Sequence, residues 1–288
     1  MTHLGKTLLL LLLFALYSID LLPQGNSLNG FTEDETILYT MNKQVGQFVK
    51  RFNMEEDAFG KPLPSNDDRY HNNVMRRNLL PGMFDKYNPR TSGKLKQFFI
   101  EDVTDQDSSV FLNFLDKNWF AEVATTFMAD GKEVNIVLYL TLEEENLGSK
   151  WVITNAWYSY FPGLFKSPDS SEQARYFLHP MSHEIDFMNL HKALSKPEHI
   201  QFYASNKYRP DYLTLFFYQM KTGKLTFKQI DDVKFHFFQI PGWYFELSYF
   251  NRTDTNSGWL ISNLVYVNEK EKKELIKSYH LCTAQDLP

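Results

Sequence analysis

Ahead of Trp119 the apolar residues recur at helical steps of three and four, and beyond it they alternate with polar residues at the period of a strand. Ile37, Met41, Val45, Phe48 and Phe52 predict a helix over Thr32–Phe52, with Thr32 or Asp34 able to cap it. The stretch from Gly60 to Asn66 breaks the pattern, and a shorter helix over Asp67–Leu80 follows, ended by Pro81-Gly82. Strands are predicted over Asn118–Met128, Glu133–Leu142 and Lys150–Phe161. Ala129-Asp130-Gly131 and the polar run from Glu143 to Ser149 separate them, spacings that suit antiparallel hairpins.

Phe161-Pro162-Gly163 and the run from Lys166 to Ser171 are rich in turn formers and read as a linker, which places a domain boundary near Lys166. The second half then repeats the plan. Helices are predicted over Ser182–Leu194 and Pro210–Lys221, separated at Lys196-Pro197, and strands over Leu225–Ile240, Trp243–Phe250 and Trp259–Val267. A solvated helix, Asn268–Tyr279, closes the pattern. Two short stretches recur outright. Ser92-Gly93-Lys94-Leu95 followed by Ile100–Val103 is echoed 130 positions later by Thr222-Gly223-Lys224-Leu225 followed by Ile230–Val233. Trp151–Tyr158 is echoed 108 positions later by Trp259–Tyr266, so one insertion of 22 residues after Val103, near the Asp105–Ser109 loop, reconciles the two offsets. The expectation is two versions of one domain, 28–166 and 167–288.

With 288 residues, 43% hydrophobic and 16% aromatic, the chain has apolar surface enough to build folded cores. The net charge of −5, with Lys and Arg scattered, lacks the basic stripe of a nucleic-acid binder. Lys6 followed by the apolar run Leu8–Ile19 reads as an export signal too short to span a bilayer. Gly25 and Ser27 fit a cleavage rule, which makes 1–27 a signal peptide, puts the mature start near Leu28 and places the protein in the periplasm or outside the cell. Membrane contact is expected only through that segment. Cys282 is the single cysteine, so no intramolecular disulfide forms.

Helices ahead of a curved antiparallel meander, ending in the Trp-led strands within Lys150–Tyr158 and Gly258–Val267, resemble the nuclear transport factor 2-like superfamily, also called the ketosteroid isomerase-like or cone fold. That resemblance implies an α+β chain of two tandem cone-like domains, each with N-terminal helices packed on a curved sheet around an apolar cavity. The superfamily includes isomerases, dehydratases, ligand carriers and interaction modules, so the fold leaves function open.

An enzyme of this type needs a cavity carboxylate with a shifted pKa, opposite a donor. His71, Glu122, His236 and Glu246 are the polar residues on or beside the elements that would form a cavity. Alternation puts Trp243, Phe245, Leu247 and Tyr249 on one face of their strand and Tyr244, Glu246, Ser248 and Phe250 on the other, so Glu246 shares a face with aromatics. As ligand-contacting residues the sequence offers His236, Glu246, Tyr244, Tyr212 and Phe216, set in aromatic-dense segments whose other reading is plain core. His179, His183, His191 and His199 lack the spacing of a metal site, and no phosphate-binding glycine loop or nucleophile elbow occurs, so neither metal nor cofactor is expected. Asn251-Arg252-Thr253 fits the N-glycosylation pattern. These features favour an exported, non-catalytic binding or interaction protein, for a small apolar ligand or a protein partner. A cofactor-free isomerase or lyase using a pocket carboxylate, and a structural or dimerisation scaffold, are the alternatives.

Overall fold

Strand β1, Trp119–Ala129, keeps its alternation without a break: Trp119, Ala121, Val123, Thr125 and Phe127 face one side of the sheet, Phe120, Glu122, Ala124, Thr126 and Met128 the other. It turns into β2, Lys132–Glu145, through Asp130 and Gly131, both at positive φ (49° and 75°), as a tight two-residue hairpin requires. β3, Gly148–Tyr158, completes a first meander. A second is built from β4 (Leu225–Phe237), β5 (Trp243–Phe250) and β6 (Gly258–Tyr266). The two share one open antiparallel sheet of six strands in the order β3-β2-β1-β4-β5-β6, joined where β1 pairs with β4 from Trp119 opposite Phe237 to Ala129 opposite Leu225.

This computed structural model describes residues 45–56, 60–145, 148–165, 176, 190–191, 194–205, 207–253 and 256–279. The expected signal segment, the first part of the Thr32–Phe52 helix, the boundary at Lys166, most of the Ser182–Leu194 helix, His179, His183 and Cys282 lie outside them.

One face of the sheet carries the main core. Helix α1, over 45–53, presents Val45, Phe48, Val49 and Phe52, spaced as one helical stripe, and all four are buried. Helix α2 is Asn73–Leu79 and α3 is Lys94–Val103. Phe99 of α3 meets Phe52, Phe84, Trp243 and Phe245 edge-on at 5.3–6.3 Å, and Phe245 lies parallel to Phe237 at 4.9 Å. Farther along the same face Phe127, Ile136 and Ala156 receive Phe161 of α4 (Tyr160–Leu164) and Phe216 of α5 (Tyr212–Lys221). On the opposite face α6, Glu269–Ser278, starts with a capping box between Asn268 and Glu271. It lays Leu275 and Ile276 against a cluster that includes Phe120, Tyr139 and Tyr244. Residues 84–88 cover the outer edge of β6: Phe84 bridges Ile261, Asp85 N–H donates to Ile261 O at 3.0 Å, and Asn88 Nδ2 donates to Ser262 O at 2.6 Å.

Arg76 of α2 is completely buried and donates to three main-chain carbonyls, Phe52 O (3.0 Å), Val103 O (3.0 Å) and Val110 O (2.6 Å), and to Asn73 Oδ1 (2.9 Å). Its guanidinium also lies over the Phe111 ring, 4.3 Å from the centroid. Burial lowers its pKa to about 10, which leaves it charged at neutral pH.

Several expectations need correction. The helix expected from Asp67 begins at Asn73, because residues 65–71 form turns and His71 sits at φ 56°. The stretch Lys94–Val103 is a helix, whereas its echo Leu225–Val233 lies in β4, within the strand expected over Leu225–Ile240. The 130-position echo therefore joins unlike elements, a helix start at Gly93 and a helix end at Gly223. The 108-position echo joins like ones, since Trp151 and Trp259 lie in the last strands of the two meanders. The connection from helix to first strand is also longer in the first half, 104–118 against 222–224.

Candidate functional site

The sequence candidates fall in two places. Register brings Glu122, Lys234, His236, Tyr244 and Glu246 onto the face that α6 partly covers, with Glu122 opposite Lys234, and His236 opposite both Phe120 and Glu246. Tyr212 and Phe216 lie elsewhere, on α5, in the Phe127–Phe161 cluster of the opposite face. The five proposed ligand contacts thus form no single site. His71 is apart from both groups, stacked between Tyr70 (4.0 Å) and Phe111 (4.1 Å), with Nε2 at 3.1 Å from Glu55 Oε1. His199 stacks with Phe202 and lies 3.9 Å from Glu198.

The group around His236 is a chain of polar atoms under an aromatic roof. His236 is 1% exposed and stacks on Phe120 at 4.8 Å. Its Nδ1 is 2.8 Å from Tyr244 Oη, which is 3.1 Å from Tyr279 Oη, and its Nε2 is 3.1 Å from Glu122 Oε2. That last contact has ion-pair length but lacks hydrogen-bond alignment, so Nε2 is buried without a hydrogen-bond partner among the described residues. The two ring nitrogens of His236 thus face a phenol on one side and a carboxylate on the other. Glu246 Oε1 is 3.6 Å from Lys234 Nζ and accepts from Ser262 Oγ at 3.3 Å.

Charge states follow from these neighbours. Desolvation pushes Glu122 upward, but the contact and charge of His236 and the charge of Lys234 outweigh it, and its pKa is lowered. Burial raises the phenols of Tyr139, Tyr244 and Tyr279, which stay protonated as donors. A carboxyl group that donates a proton at neutral pH needs its pKa raised toward neutrality, and Glu122 is shifted the other way. A carboxylate depressed by folding stabilises the protein above its unfolded pKa, roughly 4.3, and that contribution disappears as pH falls through the folded value. Glu122→Gln is therefore expected to flatten the loss of stability on acidification below about pH 4.5. Urea midpoints of both proteins from pH 7 down to pH 3 check this, and parallel curves would refute it.

A cavity of about 360 Å³ opens on the other face, between α1, the chain around Leu79–Met83, and the hairpin of β5 and β6. Phe48, Leu79, Met83, Tyr249, Trp259 and Leu260 form its apolar wall, and Gln47, Arg51 and Ser257 its polar one. Arg51 is anchored through Nε, 2.8 Å from Oε1 of the buried Glu56, and its side chain is half-exposed. Trp259 is 7% exposed, packed edge-on against Phe235 at 4.8 Å and Tyr249 at 5.4 Å. Its indole nitrogen is buried and has no hydrogen-bond partner among the described residues. The wall comes from three segments far apart in sequence, and only the Trp-led strand hints at any of it.

No protein-family model matches this chain, and no curated protein and no solved structure matches it.

Proposed function

We propose that the chain is a non-catalytic binding protein that holds a small amphipathic molecule in the cavity between α1 and the β5–β6 hairpin. The observation that carries this reading is the cavity itself: about 360 Å³ is within the range of small-ligand sites, and its wall mixes aromatic and aliphatic groups with a few polar ones. The His236 group supports it from the other side, since its members are bonded to one another and its Glu122 is shifted away from use as a general acid. The ligand is less apolar than the sequence suggests, because Arg51, Gln47 and Ser257 share the wall. We place the protein outside the cytoplasm on the apolar run Leu8–Ile19, and read the two meanders as related copies, in the cone-like manner, on the 108-position correspondence of their strands.

A calorimetric titration with 2-acetylnaphthalene tests the site. Saturable binding is expected for the wild type and for Glu246→Gln, which alters only the opposite face. Met83→Trp, which fills the cavity, should abolish it. Equal binding by the Met83→Trp protein would move the site elsewhere, and no binding by the wild type would end the proposal.

A further inference from the structure

Arg51 is the one charged side chain among the described residues that line the cavity, and no carboxylate among them stands opposite it. It shares a face of α1 with Gln47 and Phe48, one helical turn earlier. Its Nε is committed to Glu56 Oε1 at 2.8 Å, whereas Nη1 and Nη2 make no hydrogen bond among the described residues. Glu56 is 3% exposed and its main chain bridges Pro62, so the carboxylate behind the arginine is fixed in place. The guanidinium is thereby held along one edge while its end fork of two nitrogens stays uncommitted, on a side chain that is 48% exposed. Arg69, Arg77 and Arg252 differ, since each gives a terminal nitrogen to Asp67, Thr104 or Asp85, and Arg76 gives both of its own to carbonyls and Asn73.

We infer that the occupant of the cavity carries a carboxylate on an apolar body, and that Arg51 is the residue that selects it. This rests on the binding reading above. A carboxylate presents two oxygens in one plane at the spacing of the guanidinium end fork, so two parallel N–H···O bonds form. A ketone oxygen fills one of the two positions and exchanges it with water at little gain. The apolar body lies against Phe48, Met83, Tyr249 and Leu260. Glu56 already balances the charge of Arg51, so the preference comes more from the fit of the fork than from long-range attraction. Because the fork is held before the ligand arrives, little side-chain entropy is lost on binding. The half-exposed setting keeps the gain near that of a well-oriented surface pair.

Two naphthalenes of matched shape test this in the full chain at neutral pH: 2-naphthoate and its neutral analogue 2-acetylnaphthalene. The carboxylate should bind the wild type about fivefold more tightly at low salt, the worth of one favourable exposed ion pair. Added salt should narrow the gap. Arg51→Gln, whose amide can still donate to Glu56, should remove the preference and leave the ketone's affinity unchanged. Arg51→Lys keeps the charge without the fork and should show a smaller preference than the wild type. Equal affinity of the wild type for both compounds, or an undiminished preference in Arg51→Gln, overturns the carboxylate inference. Ketone binding that Met83→Trp abolishes leaves the binding reading standing in that case, and failure of both compounds to bind the wild type overturns both. If Arg51→Gln does not fold, Arg51→Lys decides in its place, and a preference as large as the wild type's overturns the assignment to the Arg51 fork.

Discussion

Arg76→Met is expected to lose about 3–5 kcal/mol of stability, since three main-chain carbonyls would be left buried without donors at roughly 1–3 kcal/mol each, partly offset by local relaxation. Phe52 O, Val103 O and Val110 O belong to three different segments, the end of α1, the end of α3 and the loop beyond it, and Arg76 is the group that holds them together. Methionine keeps much of the volume and tests the hydrogen bonds rather than the packing. Arg76→Lys should recover less than half of the loss, because one ammonium cannot reproduce the planar fork that reaches several carbonyls at once. Urea denaturation followed by circular dichroism reads both. A loss below about 1 kcal/mol for the methionine variant would show that water replaces the guanidinium at little cost.

Phe245→Ala should cost about as much, roughly 3–5 kcal/mol, for a different reason. Phe245 is fully buried, parallel to Phe237 at 4.9 Å and to Phe52 at 6.4 Å, and edge-on to Phe99 at 5.8 Å. It is where α1, α3, β4 and β5 meet, so the cavity left by truncation has rigid walls on all sides and cannot collapse. Phe245→Leu should lose only about 1–1.5 kcal/mol, as most of the volume is retained. Thermal and chemical denaturation of both variants gives the comparison, and an alanine variant no worse than the leucine one would mean that the helices close the gap.

Which parts of this are legible in the sequence follows from which are local. The alternation of Trp243–Phe250 assigns Phe245 and Leu247 to one face and Tyr244 and Glu246 to the other, and both assignments agree with the register. Asp130-Gly131 marks its hairpin, and the Val45, Phe48, Phe52 stripe marks α1. Lys94–Val103 misleads because Gly93 gives no side-chain cap and the Ser-Gly-Lys-Leu echo suggests a strand. Arg76 and Arg77 are indistinguishable as letters, yet only the first is buried, while Arg77 is exposed and reaches Thr104 alone among the described residues. The cavity and the β1–β4 pairing depend on segments with no sequence neighbourhood in common, and neither leaves a local signature.

That pairing also sets an order in time. Within each meander a strand finds its partner a short turn away, whereas joining Val123 to Val233 first requires a loop of about a hundred residues to close. The closure entropy is lost before the seam forms any of its hydrogen bonds, so the middle of the sheet is expected to form after its two wings.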